Sequence, residues 1–243
     1  MKALLALTLF LASSALAQNV RTQNSFASDF QTVPVMANVV GNFGARFHSY
    51  VALLNPTASA AHIDVTLFDT AGTTHEATIT LASGEQKTFT NFLEEVFHST
   101  GGGAVTFRSD DPSERFILST EVRVTPGGYS TAIPALEFAG SSSPSFSTGI
   151  TVDSSSRTNI GCFNQSSAAN TIRATVFDKS GTIALGTVNL NLAANAWGQT
   201  SVNTVVSDGF VRFEPNEAAV CYAVVVSNTT NDGRFIPAAE YQP

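Results

Sequence analysis

Apolar and polar residues alternate along this chain with a period of two. Ile63, Val65 and Leu67 are interleaved with Asp64, Thr66 and Phe68. Ile79 and Leu81 sit between Thr78, Thr80 and Ala82, and Val188, Leu190 and Leu192 between Asn189 and Asn191. Successive side chains of a strand point to opposite faces, so this pattern predicts half-buried β-strands. The runs are short and rich in Val, Ile, Thr and Phe. Turn-forming clusters separate them: Asn55-Pro56, Asp69-Thr70-Ala71-Gly72, Ser83-Gly84, Pro126-Gly127-Gly128, Asp178-Lys179-Ser180-Gly181 and Asn231-Asp232-Gly233. One segment departs from this rhythm. Asn91–Phe97 places apolar residues at 92, 93, 96 and 97, a helical spacing, with Thr90 or Asn91 available as a cap and Glu94 and Glu95 suited to its first turn.

The pattern also repeats. Thr66-Leu67-Phe68-Asp69 with Gly72 returns as Thr175-Val176-Phe177-Asp178 with Gly181. Ile133-Pro134-Ala135-Leu136-Glu137-Phe138 returns as Ile236-Pro237-Ala238-Ala239-Glu240-Tyr241. A fixed-period repeat implies two copies of one unit. The expected fold is all-β: two tandem antiparallel β-sandwich domains, each with seven or eight strands and a short helical turn, the second copy's turn falling in Ser201–Val206. The expected divisions are a signal peptide over 1–17, a polar N-terminal arm over 18–32, a first sandwich over 33–138, a linker over 139–145 and a second sandwich over 146–243. The linker, Ala139-Gly140-Ser141-Ser142-Ser143-Pro144-Ser145, is small and polar.

The first residues bear on compartment. Lys2 precedes an apolar stretch from Ala3 to Leu11, and Ala15-Leu16-Ala17 places small residues before Gln18. That is the layout of a secretory signal peptide. It is too short to span a bilayer as a permanent helix. The mature protein is therefore expected to be secreted: extracellular, at the cell surface or in the periplasm, with no membrane span. The net charge is −7 and the 12 Lys and Arg form no run. Nucleic-acid partners, which need clustered cations, are not expected.

The two cysteines, Cys162 and Cys221, both fall in the second copy. Aligning Asn164 with Asn55 places Cys162 on Leu53. Aligning Ile236 with Ile133 places Cys221 on Leu118. Both equivalents lie in strand-like apolar runs, so the cysteines occupy core positions, and in an exported protein such a pair is expected to form a disulfide. Leu53 and Leu118 must then lie within disulfide reach of one another. A bridge closing a loop of about 60 residues contributes on the order of 4 kcal/mol by the chain-entropy account.

This strand rhythm and cysteine spacing resemble immunoglobulin-like domains, in which a disulfide ties an early strand to a late one across the sandwich. Leu54-Asn55-Pro56 early in a unit, with Phe235-Ile236-Pro237-Ala238 at its end, resembles tandem β-sandwich modules of exported bacterial proteins. The chain departs from the immunoglobulin pattern in two places. Trp197 falls too late after Cys162 to be the core tryptophan, and Ala219 stands where a tyrosine corner would be.

Candidate chemistry is sparse. A thiol nucleophile needs a nearby base, but His48, His62, His75 and His98 all lie in the first half and form no HxH or HxxxH pair. No GxSxG elbow is present. Asp110-Asp111-Pro112, followed by Glu114, reads as a turn and offers at most a calcium loop. Neither catalytic residues nor a metal or cofactor are indicated. Trp197, in Asn195-Ala196-Trp197-Gly198, is a candidate for stacking on a sugar ring if exposed, and otherwise a cover for the seam between the units. The 18 Phe are expected mostly in the core. The resulting expectation is a non-enzymatic structural, adhesive or recognition protein whose partner is a surface glycan or another exported protein. Carbohydrate binding through Trp197, and a hydrolase site at the inter-domain seam, are the alternatives.

Overall fold

The computed structural model describes residues 27–41, 44–137 and 140–240. The expected signal peptide lies outside the described residues, as does most of the expected arm. The described residues are all-β apart from one short helix. The elements run β1 (Phe30–Val40), β2 (Arg46–Leu54), β3 (Ala61–Phe68), β4 (Thr74–Leu81), β5 (Gln86–Phe89), α1 (Phe92–Phe97), β6 (Gly101–Ser109), β7 (Ile117–Thr125) and β8 (Tyr129–Ala132) in the first half. The second half holds β9 (Ser145–Val152), β10 (Ser156–Asn164), β11 (Asn170–Phe177), β12 (Ala184–Leu192), β13 (Trp197–Ser201), β14 (Val206–Pro215), β15 (Ala219–Ser227), β16 (Gly233–Pro237) and β17 (Ala239–Glu240). All the strand pairings are antiparallel.

The second half forms two sheets, ordered β12-β11-β14-β9-β17 and β13-β10-β15-β16. The first half has the corresponding orders β4-β3-β6-β1 and β2-β7-β8, with β5 on β2, but merged into a single sheet. The merger is the work of β1. Its first part pairs with β6 from Phe30 to Asn38, and its last three residues, Asn38 to Val40, pair with β2. A register shift between Val33 and Met36 gives the bend that this crossing needs. In each half the closing phrase carries the chain back to the opening strand: Leu136 bridges Thr32, and Ala239 pairs with Phe146.

Alternation is realised as the sequence requires. Ile63, Val65 and Leu67 are buried while His62 and Asp64 are exposed. The predicted helix forms, but not by side-chain capping from Asn91. Instead Glu95 reaches back, and its Oε1 accepts from the Thr90 amide (2.8 Å), the Thr90 hydroxyl (2.9 Å) and the Asn91 amide (2.8 Å). Phe92, fully buried, lies at the centre of an aromatic group, 5.2 Å from Phe89, 5.9 Å from Phe97 and 5.5 Å from Phe107.

Two expectations are corrected. The second half has no helix at Ser201–Val206: that stretch is short and β-branched, and it crosses between the sheets with Val202 and Val206 buried. The segment expected as a polar arm takes part in the sheets from Ser28, which bridges Phe116, and β1 starts at Phe30. Phe146, Phe177 and Phe210 stand apart from the core phenylalanines, half-buried on the outer face of β9, β11 and β14, with Phe177 and Phe210 stacked at 5.0 Å.

The segment read as a linker is tied down. Ser141 and Ala219 exchange backbone hydrogen bonds (3.2 and 3.1 Å). A Cβ on Gly140 would stand 2.4 Å from the Ala219 carbonyl carbon, so only glycine fits there.

Candidate functional site

The cysteines lie where the alignment of the two halves put them. Cys162 on β10 stands directly opposite Cys221 on β15, and the two are bonded, with Cα atoms 4.1 Å apart. In the first half Leu53 on β2 stands directly opposite Leu118 on β7. The bridge thus joins neighbouring strands of one sheet, unlike the bond across the sandwich that the immunoglobulin resemblance implies.

A second correspondence was not foreseen. Asn55 follows β2 and Asn164 ends β10, and both are fully buried. The Asn55 amide donates to the carbonyls of Ser59 (2.7 Å) and Ala82 (3.0 Å), and its oxygen accepts from the Thr57 N–H (2.9 Å). The Asn164 amide donates to Ala168 (2.8 Å) and Ala193 (2.7 Å), and its oxygen accepts from the Ser166 N–H (3.1 Å). Each asparagine side chain is buried with its own amide and oxygen satisfied by bonds to two loops, which it clamps together. The signal was the shared Asn of Leu54-Asn55 and Phe163-Asn164, which the sequence reading used only for alignment.

The halves meet along the outer face of the β13-β10-β15-β16 sheet. β15 is buried on both faces from Ala219 to Ala223. Cys221, Ala223 and Val225 face the second half's own core, and Tyr222 and Val224 face the first half. One end of this seam is packed shut. Phe163 lies 4.7 Å from Phe68 of the first half. Trp197 is 8% exposed, and its ring rests where Gly102 has no side chain: a Cβ there would meet ring carbons at 2.8 and 2.9 Å. The Trp197 backbone N–H donates to the Asp69 carbonyl (3.0 Å) across the seam.

Trp197 therefore offers no face to a sugar. Its first-half counterpart by strand register is Gln86, which is exposed. The same position is open in one half and covered in the other, because only the second half has a neighbour packed on that sheet. The indole N–H donates to the Tyr222 hydroxyl (3.1 Å), which donates onward to Gln199 Oε1 (3.1 Å). Full burial raises the Tyr222 pKa far above the ordinary tyrosine value, against a smaller opposing effect of the bond from Trp197.

At its other end the seam opens into a cleft of about 280 Å³. One wall is apolar and comes from the first half, with Val35, Val39, Phe47 and Val122. The other comes from the second half and carries Arg157, Asn159, Gln199, Ser201 and Asn231 beside Val224 and Val226. Its described lining contains neither imidazole nor carboxylate.

The four histidines are dispersed. His62 meets the Thr80 hydroxyl (3.1 Å), His75 pairs with Asp69 (3.3 Å), and His98 is the left-handed cap of α1. His48 lies on β2, its pKa lowered by burial and by the nearby Arg123 charge. Asp110-Asp111-Pro112 forms the turn between β6 and β7, with Asp111 Oδ1 accepting from the Ser113 N–H and hydroxyl (both 2.8 Å). Among the described residues no group of three or more His, Cys, Asp or Glu is placed to hold a metal ion. No helix among them is long and apolar enough to cross a membrane. No protein-family model matches this chain, and no curated protein matches its sequence.

Proposed function

We propose that this chain is an exported, non-enzymatic structural, adhesive or recognition protein of the cell surface or periplasm, built from two copies of one immunoglobulin-like β-sandwich module. The corresponding strand orders, the opposed pairs Leu53–Leu118 and Cys162–Cys221, and the matching clamps at Asn55 and Asn164 support the duplication. The bonded cysteines suit an oxidising compartment.

The observation that carries the functional reading is the seam. Its closed end is filled by Phe68, Phe163, Trp197 and Tyr222, which fixes one module against the other. Its open end presents amides, a hydroxyl, a guanidinium and apolar side chains, a set suited to holding a partner rather than to moving protons. The buried Trp197 removes the residue on which carbohydrate stacking rested. The partner class remains a surface glycan or another exported protein, recognised elsewhere than at that indole. The test is to incubate the purified mature protein with a panel of glycosidase, esterase and peptidase substrates. The reading expects no turnover above a heat-denatured control. Turnover that a single point substitution abolishes would overturn it.

A further inference from the structure

The polar wall of the seam cleft has an unusual hydrogen-bond balance. Asn231 Oδ1 accepts from Arg157 Nη2 (2.7 Å), Asn159 Oδ1 from the Ser201 hydroxyl (2.9 Å), and Gln199 Oε1 from the Tyr222 hydroxyl (3.1 Å). The orientation of Gln199 is dictated chemically. The Trp197 indole can only donate, so the Tyr222 hydroxyl that accepts from it must donate to an oxygen. All three amide oxygens are thus engaged. The amide groups left over are N–H donors, those of Asn159, Gln199 and Asn231, joined by part of the Arg157 guanidinium; the Ser201 hydroxyl oxygen is the acceptor that remains on this wall.

Arg157 is the informative residue. Its Nη1 donates to the Ser227 carbonyl (3.3 Å) and to Asn228 Oδ1 (3.2 Å), and Nη2 to Asn231. Every partner is neutral. No carboxylate among the described residues lies within ion-pair distance, although the chain carries 19 Asp and Glu against 12 Lys and Arg. Of five guanidinium donors, those bonds leave the Nε–H and one Nη2 hydrogen. Burial lowers the guanidinium's pKa, the mark of a charge partly withdrawn from water with no anion to compensate it. Charges withdrawn from water are ordinarily paired; Arg157 is half-buried without such a pair, and it stands on a cleft whose opposite wall is largely apolar.

We propose that the open end of the seam binds a small amphipathic carboxylate. Its head would accept from Arg157 and the neighbouring amides, and its short apolar body would lie along Val35, Val39, Val122 and Val226. A single guanidinium matches the charge of a carboxylate and leaves a dianionic phosphate half uncompensated. A volume of about 280 Å³ suits a compact ligand, at the lower end of small-molecule pockets. The inference rests on the cleft alone. It stands whether or not the halves are copies, and whether or not the protein lacks an enzymatic activity.

Calorimetric titration of the full mature protein with octanoate, and separately with octanol, tests it. Octanoate is expected to bind, with octanol weaker by roughly ten-fold or more, the scale of a charge-assisted hydrogen bond. Arg157→Gln should bring octanoate down to the octanol level and leave octanol unchanged. Val226→Trp, which fills the cleft while leaving Arg157 in place, should abolish both. Far-ultraviolet dichroism and a cooperative denaturant melt like those of the unaltered protein certify that each variant is folded. Absence of binding by octanoate, equal binding of octanol, or octanoate affinity untouched by both substitutions would overturn the proposal.

Discussion

Trp197 gives the sharpest handle on how the halves are joined. Its indole is buried between them, over Gly102 and against the Asp69 loop, with its N–H satisfied by Tyr222. Trp197→Ala removes a large buried side chain from a site whose walls belong to two packed units, and such truncations cost about 3–5 kcal/mol. Trp197→Phe keeps most of the ring but leaves the Tyr222 oxygen without its donor, at a cost of about 1–3 kcal/mol. Gln86→Ala, at the exposed equivalent position, should change stability by less than about 0.5 kcal/mol. Gly102→Val attacks the same contact from the other side. Its Cβ would fall 2.8 Å from the ring, so the indole must move, at about 1–3 kcal/mol. Because the chain has a single tryptophan, fluorescence reads the seam directly. Native emission should be blue-shifted and shielded from acrylamide, and Gly102→Val should raise quenching while far-ultraviolet dichroism is retained. Denaturant melts supply the free energies. A Trp197→Ala cost near that of Gln86→Ala, or native emission at the wavelength of indole in water, would refute the packed seam.

Other outcomes follow from the same contacts. Asn164→Ala should cost about 2–4 kcal/mol in denaturant melts, since it removes three hydrogen bonds by which a buried side chain ties two loops together, and Asn55→Ala should cost a similar amount. Unreduced protein should have a mass two hydrogens below the dithiol form, and reduction should lower stability by roughly 4 kcal/mol at most; two free thiols in the mature protein would contradict the bridge. Stability should fall with acid. Desolvation pushes the Asp69 carboxyl up, but hydrogen bonds from the Thr73 and Ala71 amides and from His75 outweigh it and hold its pKa below the usual value. Glu95 behaves likewise through Asn91 and Thr90. Carboxyls with lowered folded pKa values contribute stability above the unfolded pKa, near 4, and lose it as pH falls through the folded value. His48 acts in the same direction at a higher pH, because burial disfavours its charged form. Melts between pH 7 and 3 should show a monotonic loss, and a rise in stability on acidification would contradict these assignments.

How much of this was legible depends on what each feature requires. Strands and their buried faces follow from local alternation, so Ile63, Val65 and Leu67 declared themselves. The opposition of Leu53 and Leu118 was legible by aligning the two halves of the sequence: the cysteines of one half reported on the leucines of the other. The exposure of Trp197 was not legible from its counterpart, because burial there depends on a neighbouring unit rather than on its own strand. A signal did exist. Val220–Val226 lacks the polar alternation of the matching Ile117–Arg123, which is what burial on both faces produces. Gly101-Gly102-Gly103 likewise marked a close approach, since glycine within a strand often does. The cleft at Arg157 could not be read from sequence, because its walls are assembled from strands far apart in the chain.

The proposal that the halves are copies is tested most directly by moving the bridge. Leu53→Cys with Leu118→Cys, in a chain whose native cysteines are both replaced by alanine, places two thiols on directly opposed positions of β2 and β7. The account predicts that they oxidise spontaneously, so that the unreduced mass is two hydrogens below the reduced mass and a peptide map joins residue 53 to residue 118. Two free thiols in that folded variant would show that the first half does not share the geometry of the second, and would contradict the account.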